Sequence, residues 1–242
     1  MIKTIQSLNN EFIKYLNSLK NTSEIKKEGR FLIEGEHLIK EAGEFLDCVL
    51  TLKEIPDLKV DQFIVNESIL KKLSNGKSPA RIIGVVNIPK NEKEAGKHIV
   101  FLNNIQDPGN VGTIFRTSLA FDFFDVYCDK GCAYKYSPKV VQSSQGSIFK
   151  LNIKDSSLEE LKKLKEAGFA IVSTTLSEKS VKLNDLEELP EKYVLVFGNE
   201  GQGVDKEILD LSDIHLKIEM GNIDSLNVAI SAGIILHAFK NK

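Results

Sequence analysis

Three stretches of the chain combine a glycine-bearing turn with polar side chains that could take part in catalysis. Asn103–Thr117 reads NNIQDPGNVGTIFRT, Leu195–Val204 reads LVFGNEGQGV, and Ile218–Gly233 reads IEMGNIDSLNVAISAG. An apolar strand pattern precedes or opens each of them. Parallel strands bring their carboxyl ends to one edge of a sheet, where the following loops form a ligand crevice. The sequence therefore predicts one site built from these three loops.

The first stretch carries the most chemical information. Pro108-Gly109 predicts a turn, and Asn110 is the expected N-cap of a helix that begins at Val111. Arg116 follows on this otherwise apolar helix, where an arginine usually needs a carboxylate or a phosphate. The alternatives are that Asn110 is only a cap and that Arg116 forms a surface salt bridge.

The other two stretches offer further polar groups at strand ends. Ser225 and Asn227 stand before the apolar helix predicted over 228–239, and capping alone would need only one of them. The glycines of 198–203 run G-x-x-G-x-G, which is not a dinucleotide-binding fingerprint, and a plain tight turn is an equal alternative. Gly76-Lys77-Ser78 lacks the upstream glycine of a phosphate-binding loop. These patterns disfavour NAD and nucleoside triphosphates as ligands.

Strand and helix patterns alternate along most of the chain. Residues 1–90 predict a small α/β domain, the polar stretch 91–97 predicts a linker, and 98–242 predicts a second α/β domain with a parallel sheet covered on both faces. Alternation alone suggests an unknotted, doubly wound sheet. The expected elements of the second domain are strands at 99–104, 125–128, 149–153, 170–174, 193–197 and 214–218, and helices at 111–120, 137–145, 157–167, 205–211 and 228–239.

The composition is that of an ordinary globular protein. Of 242 residues, 42% are hydrophobic and 27% charged, and the formal net charge is −2. Three cysteines are too few for a disulfide framework and are expected as core thiols: Cys48, Cys128 and Cys132. Without a signal-peptide pattern or a long apolar run, we expect a soluble, cytoplasmic protein. Two basic clusters could form local patches: Lys26, Lys27 and Arg30, and Lys71, Lys72, Lys77 and Arg81.

Taken together and in this order, the three stretches resemble the motifs of the SpoU/TrmH family of RNA ribose 2′-O-methyltransferases, in the SPOUT superfamily. We call them the first, second and third motifs. The front stretch KNTSEIKKEGRFLIEGEHLIKEA is similar to the small substrate-binding domain of rRNA-modifying members. One departure is visible, because Glu219 follows Ile218 where the third motif usually has proline.

The resemblance implies a fold, a cofactor and partners. The expected fold is α/β, with a parallel-sheet SPOUT domain that ends in a C-terminal trefoil knot, preceded by a small α/β RNA-binding domain. It implies S-adenosylmethionine as cofactor, an RNA substrate that is 23S rRNA rather than tRNA, no metal, and a homodimer whose active sites draw on both chains. From the residues alone, the apolar positions Ile230, Ile234, Ile235 and Phe239 of the closing helix are as easily explained by core packing as by a dimer.

The resemblance also implies site residues. The catalytic ones are Asn110, Arg116, Glu200, Ser225 and Asn227, and those around the cofactor are Phe197, Gly198, Asn199, Gly201, Ile218, Met220 and Leu226. Arg116 is proposed in the family as base or as phosphate holder. Since arginine stays protonated in proteins, we favour the second role.

Three functions stay open at this point. The first is an S-adenosylmethionine-dependent RNA 2′-O-methyltransferase acting on rRNA or, as an alternative, on tRNA. The second is a non-catalytic RNA-binding protein of the same fold, which Glu219 motivates. The third is an unrelated nucleotide-binding oxidoreductase, which would need a phosphate loop that the sequence lacks.

Overall fold

The computed structural model describes residues 1–76, 79–90, 93–223 and 225–242. The chain forms two compact units, the first from 1–90 and Tyr134–Phe149 and the second from 91–133 and 150–242. The domain boundaries 1–90, 91–97 and 98–242 stay a prediction. The predicted division places 134–149 in the second domain, whereas this segment belongs to the first compact unit. Lys77, Ser78, Asn91, Glu92 and Asp224, which belong to the predicted basic cluster, linker and third motif, lie outside the described residues.

The first unit is a mixed sheet with helices. Its strands are β1 (Ile2–Ile5), β2 (Arg30–Glu34), β3 (Leu46–Thr51), β4 (Asp61–Val65) and β5 (Ile82–Asn87), in the order β1-β4-β3-β5-β2. Its helices are α1 (Glu11–Ser18), α2 (Thr22–Glu28), α3 (Glu36–Ala42), α4 (Glu67–Leu73) and, later in the chain, α6 (Pro138–Ser144). Short 3₁₀ turns lie at Gly43–Phe45 and Ser147–Phe149.

Local sequence explains these elements. The Asn10 side chain accepts a hydrogen bond from the Phe12 amide and so caps α1. Gly29 ends α2 at φ +64°, in the left-handed region that favours glycine. Apolar side chains of α1, α4 and the central strands form one buried core. Helix α6 packs on β2, and the Phe31 and Tyr136 rings lie 5.3 Å apart.

The second unit is a seven-stranded sheet. Its strands are β6 (His98–Leu102), β7 (Asp125–Cys128), β8 (Asn152–Asp155), β9 (Ala170–Thr174), β10 (Val181–Lys182), β11 (Tyr193–Phe197) and β12 (Ile214–Lys217), in the order β10-β12-β9-β11-β6-β7-β8. Its helices are α5 (Pro108–Ala120), α7 (Leu158–Glu166), α8 (Lys206–Leu211) and α9 (Val228–Lys240).

Every strand pair of this sheet is parallel, which confirms the predicted parallel sheet. All five residues of β11 are buried, as expected for a central strand covered on both faces. One prediction was wrong, and one strand was missed. Phe149 ends a 3₁₀ turn instead of opening a strand, and the edge strand β10 was not predicted at all.

The closing helix α9 runs parallel to α5. Near the amino ends of the two helices, Asn227 donates a hydrogen bond to Asn110. Near their carboxyl ends, Lys240 Nζ pairs with Asp122 at 2.5 Å. The helices put the first and third motifs side by side. Within the described residues, no helix combines the length and apolarity needed to cross a membrane.

Candidate active site

A cavity of about 320 Å³ lies at the carboxyl edge of the parallel sheet. Loops that follow β9, β11 and β12 form its wall, together with the first turns of α9. The lining residues are Thr174–Ser177, Phe197–Val204, Leu209, Leu216–Ile218, Met220, Ser225, Leu226, Val228, Ser231 and Ile235. The predicted meeting of the second and third motifs at one sheet edge is therefore observed.

The predicted site residues fall into two sets. All seven residues expected around the cofactor line the cavity, as do Glu200 and Ser225 of the expected catalytic set. Asn110, Arg116 and Asn227 are outside the cavity wall. Sequence reasoning missed the loop Thr174–Ser177, whose position after the predicted strand 170–174 was the available signal.

The turn after β11 depends on Gly198. A Cβ atom built on this residue would lie 2.3 Å from the Gly203 carbonyl carbon and 2.3 Å from the Val204 nitrogen. Asn199 and Gly203 close the turn by exchanging backbone hydrogen bonds of 3.0 and 2.8 Å. Glycine at 198 is needed because the chain returns on itself there.

Three polar side chains of the expected catalytic set form a hydrogen-bonded chain. Asn227 Nδ2 donates to Asn110 Oδ1 at 3.1 Å, and Asn110 Nδ2 donates to Glu200 Oε1. Asn227 also caps α9, because its Oδ1 accepts from the amides of Ala229 and Ile230. One member of each motif thus joins a network beside the cavity wall.

The predicted capping role of Asn110 was wrong. Helix α5 begins at Pro108, and Asp107 is its N-cap, with Oδ1 accepting from the Asn110 amide at 3.0 Å. Proline suits the first helical position, where its missing N–H costs nothing. Because Asp107 caps the helix, the Asn110 side chain is free to bond Glu200 and Asn227.

Arg116 lies on the exposed side of α5, between buried Phe115 and half-buried Thr117. It makes no ion pair or hydrogen bond within the part of the chain that the structure describes. The surface salt bridge considered from the sequence is not formed there. An exposed guanidinium without a partner among these residues can donate hydrogen bonds to a phosphate or carboxylate of another molecule.

A buried amide network fixes the first and second motifs relative to each other. The Asn103 side chain is buried, and its Nδ2 donates to Asp129 Oδ2 at 2.6 Å and to Asp205 Oδ2 at 2.8 Å. Its Oδ1 accepts from the Asp205 amide at 2.8 Å. Asn199 Nδ2 donates to Asn104 O at 2.9 Å. Neither Asn103 nor Asp129 was singled out from the sequence.

Glu219, the departure in the third motif, is not part of the cavity wall, although Ile218 and Met220 on either side of it are. Its Oε1 pairs with Lys182 Nζ of β10 at 2.5 Å. The hydrogen bond and charge of Lys182 lower the pKa of this carboxyl, and Glu219 in turn raises the pKa of Lys182. Both groups are therefore charged at neutral pH.

Part of helix α9 is exposed. Ile230 and Ile234 are 55% and 39% exposed, whereas Ile235 and Phe239 are buried. Core packing, which the sequence allowed for all four residues, is therefore wrong for the first two. Gly233, on the turn between them, packs against α5, where its added Cβ would lie 3.8 Å from Thr117 Cγ2.

Comparison with known proteins identifies the family to which this chain belongs. The model of the SpoU rRNA Methylase family matches residues 97–237. The chain belongs to this family. The model of the MRM3-like substrate binding domain matches residues 10–84.

Relatives of known name agree with the family. The 23S rRNA (guanosine(2553)-2′-O)-methyltransferase RlmP of Bacillus subtilis is 31% identical, and the match covers 98% of each chain. The tRNA (guanosine(18)-2′-O)-methyltransferase of Aquifex aeolicus is 35% identical over 60% of this chain and 70% of its own. A solved RNA 2′-O ribose methyltransferase superposes with a TM-score of 0.83 at 28% identity, covering 97% of both chains.

Family membership confirms the expected activity class and cofactor: the protein is an RNA 2′-O-methyltransferase that uses S-adenosylmethionine. The cavity suits such a group, since its size lies in the usual range for small-molecule sites. Leu209, Leu226 and Ile235 give it apolar walls for a base, and the turn at Gly198 brings backbone polar groups close.

Proposed function

We propose that this SpoU-family protein methylates a ribose 2′-hydroxyl of 23S rRNA in the cytoplasm. The match to the B. subtilis rRNA enzyme spans 98% of both chains, whereas the match to the A. aeolicus tRNA enzyme covers 60% of this chain. The region that matches a substrate-binding domain, 10–84, lies in the first unit. An rRNA substrate accounts for this region, and a tRNA substrate remains the alternative.

The observation that carries the catalytic assignment is the chain Asn227–Asn110–Glu200 beside the cavity, with Arg116 exposed on the same helix as Asn110. When bound, S-adenosylmethionine supplies an electrophilic methyl carbon. Methyl transfer would need the ribose 2′-hydroxyl to be held in line with this carbon and its proton to pass to solvent, so the residues of the chain have to position the RNA and the hydroxyl.

Arg116 holds the RNA in this proposal. Its guanidinium stays protonated, so it binds a phosphate next to the reacting ribose through paired N–H donors and stabilises the negative charge that develops on the 2′-oxygen. Its exposure and its lack of a partner within the described residues support this role.

The remaining catalytic residues position groups. Glu200 accepts a hydrogen bond from the side-chain amide of Asn110 and thereby fixes the turn of the second motif against α5. Asn227 fixes the start of α9 and orients Asn110. Ser225 lines the cavity, and we assign its hydroxyl to the positioning of the reacting groups.

For the cofactor, we propose that the main chain and apolar side chains of the second and third motifs enclose the adenosine. The residues are Phe197, Gly198, Asn199, Gly201, Ile218, Met220 and Leu226, all in the cavity wall. The non-catalytic alternative loses its motivation, because the Glu219 carboxylate pairs with Lys182 instead of facing the cavity.

We also propose a homodimer that forms through the α5–α9 face. Ile230 and Ile234 are exposed apolar residues on this face, and a second copy would cover them. Sedimentation of Ile230→Lys should give a monomer where the unmodified protein gives a dimer. Phe124→Lys, at a residue 50% exposed outside these helices, is the matched control. A monomeric unmodified protein would reject the dimer.

The sheet order supports a trefoil knot. β10 precedes β12 in the chain but lies outside it in the sheet. Thr175 N donates to Leu216 O and Leu183 N to Lys217 O, so the chain from β9 to β10 passes around β12. We propose that the C-terminal segment threads through the loop 175–192. Pulled from both ends, the unfolded chain should then fall short of the contour length of 242 residues; full length would exclude a knot.

The test of function is transfer of labelled methyl from S-adenosylmethionine to ribosomal RNA from cells that lack the protein, followed by mapping of nuclease-resistant 2′-O-methyl linkages. We expect one labelled nucleotide in 23S rRNA, and no label with Arg116→Ala. Label in tRNA alone would replace the proposed substrate with the alternative. Equal transfer by Arg116→Ala would reject the assigned role of Arg116.

A further inference from the structure

The loop after β12 is held from outside the cavity by one charged contact. Ile218 and Met220 line the cavity, while Glu219 between them points to β10 and pairs with Lys182 at 2.5 Å. The segment Ile218–Ile223 contains no helix or strand. The position of its cavity-lining side chains therefore depends on contacts such as this pair.

The strand that carries Lys182 is itself small. β10 has two residues, Val181 and Lys182, which pair with Leu216 and Lys217 of β12. Lys182 thus lies one strand away from the residues that lead directly into the cavity loop. An ion pair between this strand and Glu219 ties both sides of the turn at Ile218 to the edge of the sheet.

We propose that Lys182 is a positioning residue for the cofactor: through its ion pair with Glu219 it holds Ile218 and Met220 in the cavity wall. This inference rests on the proposed assignment of the cavity to S-adenosylmethionine. Lys182 is not itself among the cavity-lining residues, so its effect passes through Glu219. Proline at 219 would restrict the same turn through its fixed φ, without any charge.

The proposal is tested by a double-mutant cycle read out as the dissociation constant of S-adenosylmethionine in calorimetry. Lys182→Met keeps the length of the side chain and removes its charge. Both partners are substantially exposed, with side-chain exposures of 42% and 56%, so we expect a roughly two- to fivefold weaker affinity. Glu219→Gln should give a loss of the same size. In a Glu219→Pro background, Lys182→Met should have no effect.

The control is Lys97→Met, which breaks a comparable exposed pair, Lys97–Glu191 at 2.6 Å, at the other end of the sheet. It should leave the dissociation constant unchanged. The ion pair is also screened by salt. The advantage of the unmodified protein over Lys182→Met should therefore shrink as ionic strength rises, while Glu219→Pro and its Lys182→Met derivative stay equal.

The outcomes separate this inference from the proposed function. If the unmodified protein does not bind S-adenosylmethionine, the cavity assignment fails. If it binds and Lys182→Met binds equally well, the positioning role is rejected. An equal loss from Lys182→Met in the unmodified protein and in the Glu219→Pro variant would show that Lys182 does not act through Glu219 and would reject it too. The same loss of affinity with Lys97→Met would also reject the positioning role.

Discussion

The loop after β11 and the loop after β12 line the same cavity, but different interactions hold them. Buried hydrogen bonds from Asn103 to Asp129 and Asp205 brace the first loop, and Asn199 bonds the chain at Asn104. The second loop depends on an exposed ion pair. Breaking buried bonds to charged groups costs far more than breaking an exposed pair. The loop that carries Glu200 is therefore rigidly placed, whereas the loop that carries Met220 and Ser225 can be adjusted.

Matched glycine substitutions should show this difference most strongly. In Gly198→Ala the new Cβ would lie 2.3 Å from backbone atoms of the same turn, so the turn must open. We expect the free energy of unfolding to fall by about 3 kcal/mol and cofactor binding to be lost, as measured by denaturant titration and calorimetry. In Gly221→Ala, in the other loop, the new Cβ meets no atom of the described residues within 4 Å, and this variant should bind the cofactor normally. If Gly198→Ala binds the cofactor as well as Gly221→Ala does, the close turn is not needed and the contrast between the loops fails.

Removal of the buried amide should give the next largest effect. Asn103→Ala leaves the carboxylates of Asp129 and Asp205 close together without their shared donor. We expect a loss of about 2–3 kcal/mol in the free energy of unfolding. Asn87→Ala removes an exposed amide that accepts from Arg30 at 3.2 Å and should change stability by less than about 0.5 kcal/mol. Equal stability of the two variants would contradict a bracing role.

Sequence patterns predicted most of the frame around these loops. β11 has the predicted bounds because it is an unbroken apolar segment that leads into a clear glycine turn. The two-residue strand β10 could not be predicted, since it has no pattern of its own and exists through its pairing with β12. The excursion of Tyr134–Phe149 into the first unit likewise depends on tertiary packing against β2.

The site was predicted as a set of residues but not as a set of contacts. The family motifs predicted Asn110 and Glu200 as site residues. Their hydrogen bond to each other depends on the cap at Asp107, which the local sequence pattern did not predict. Asn103 lies at the end of a predicted strand, and nothing in the sequence marks its two carboxylate partners, which are 26 and 102 positions away.

The chain Asn227–Asn110–Glu200 connects the two loops, and its middle residue tests that connection. Asn110→Ala leaves Glu200 and Asn227 without this link. We expect kcat to fall roughly 10- to 100-fold, the cost of a hydrogen bond to a charged group, with the KM for cofactor changed less than about threefold. Thr113→Ala is the control, because its hydroxyl donates to the Gly109 carbonyl of the same helix and bonds no other described residue. A change in KM alone would place Asn110 in cofactor binding instead.

The smallest effect should come from Lys217, which lines the cavity and whose Nζ donates to the Glu178 carbonyl at 3.4 Å. Lys217 is the last residue of β12 and leads into the adjustable loop. If exposed contacts at this position are individually weak, Lys217→Met should raise the dissociation constant of S-adenosylmethionine less than about twofold. A tenfold rise would have a different meaning. It would show that the ammonium group contacts the carboxylate of the cofactor, and the contrast between a braced loop and an adjustable one would then have to include a direct charged contact from β12.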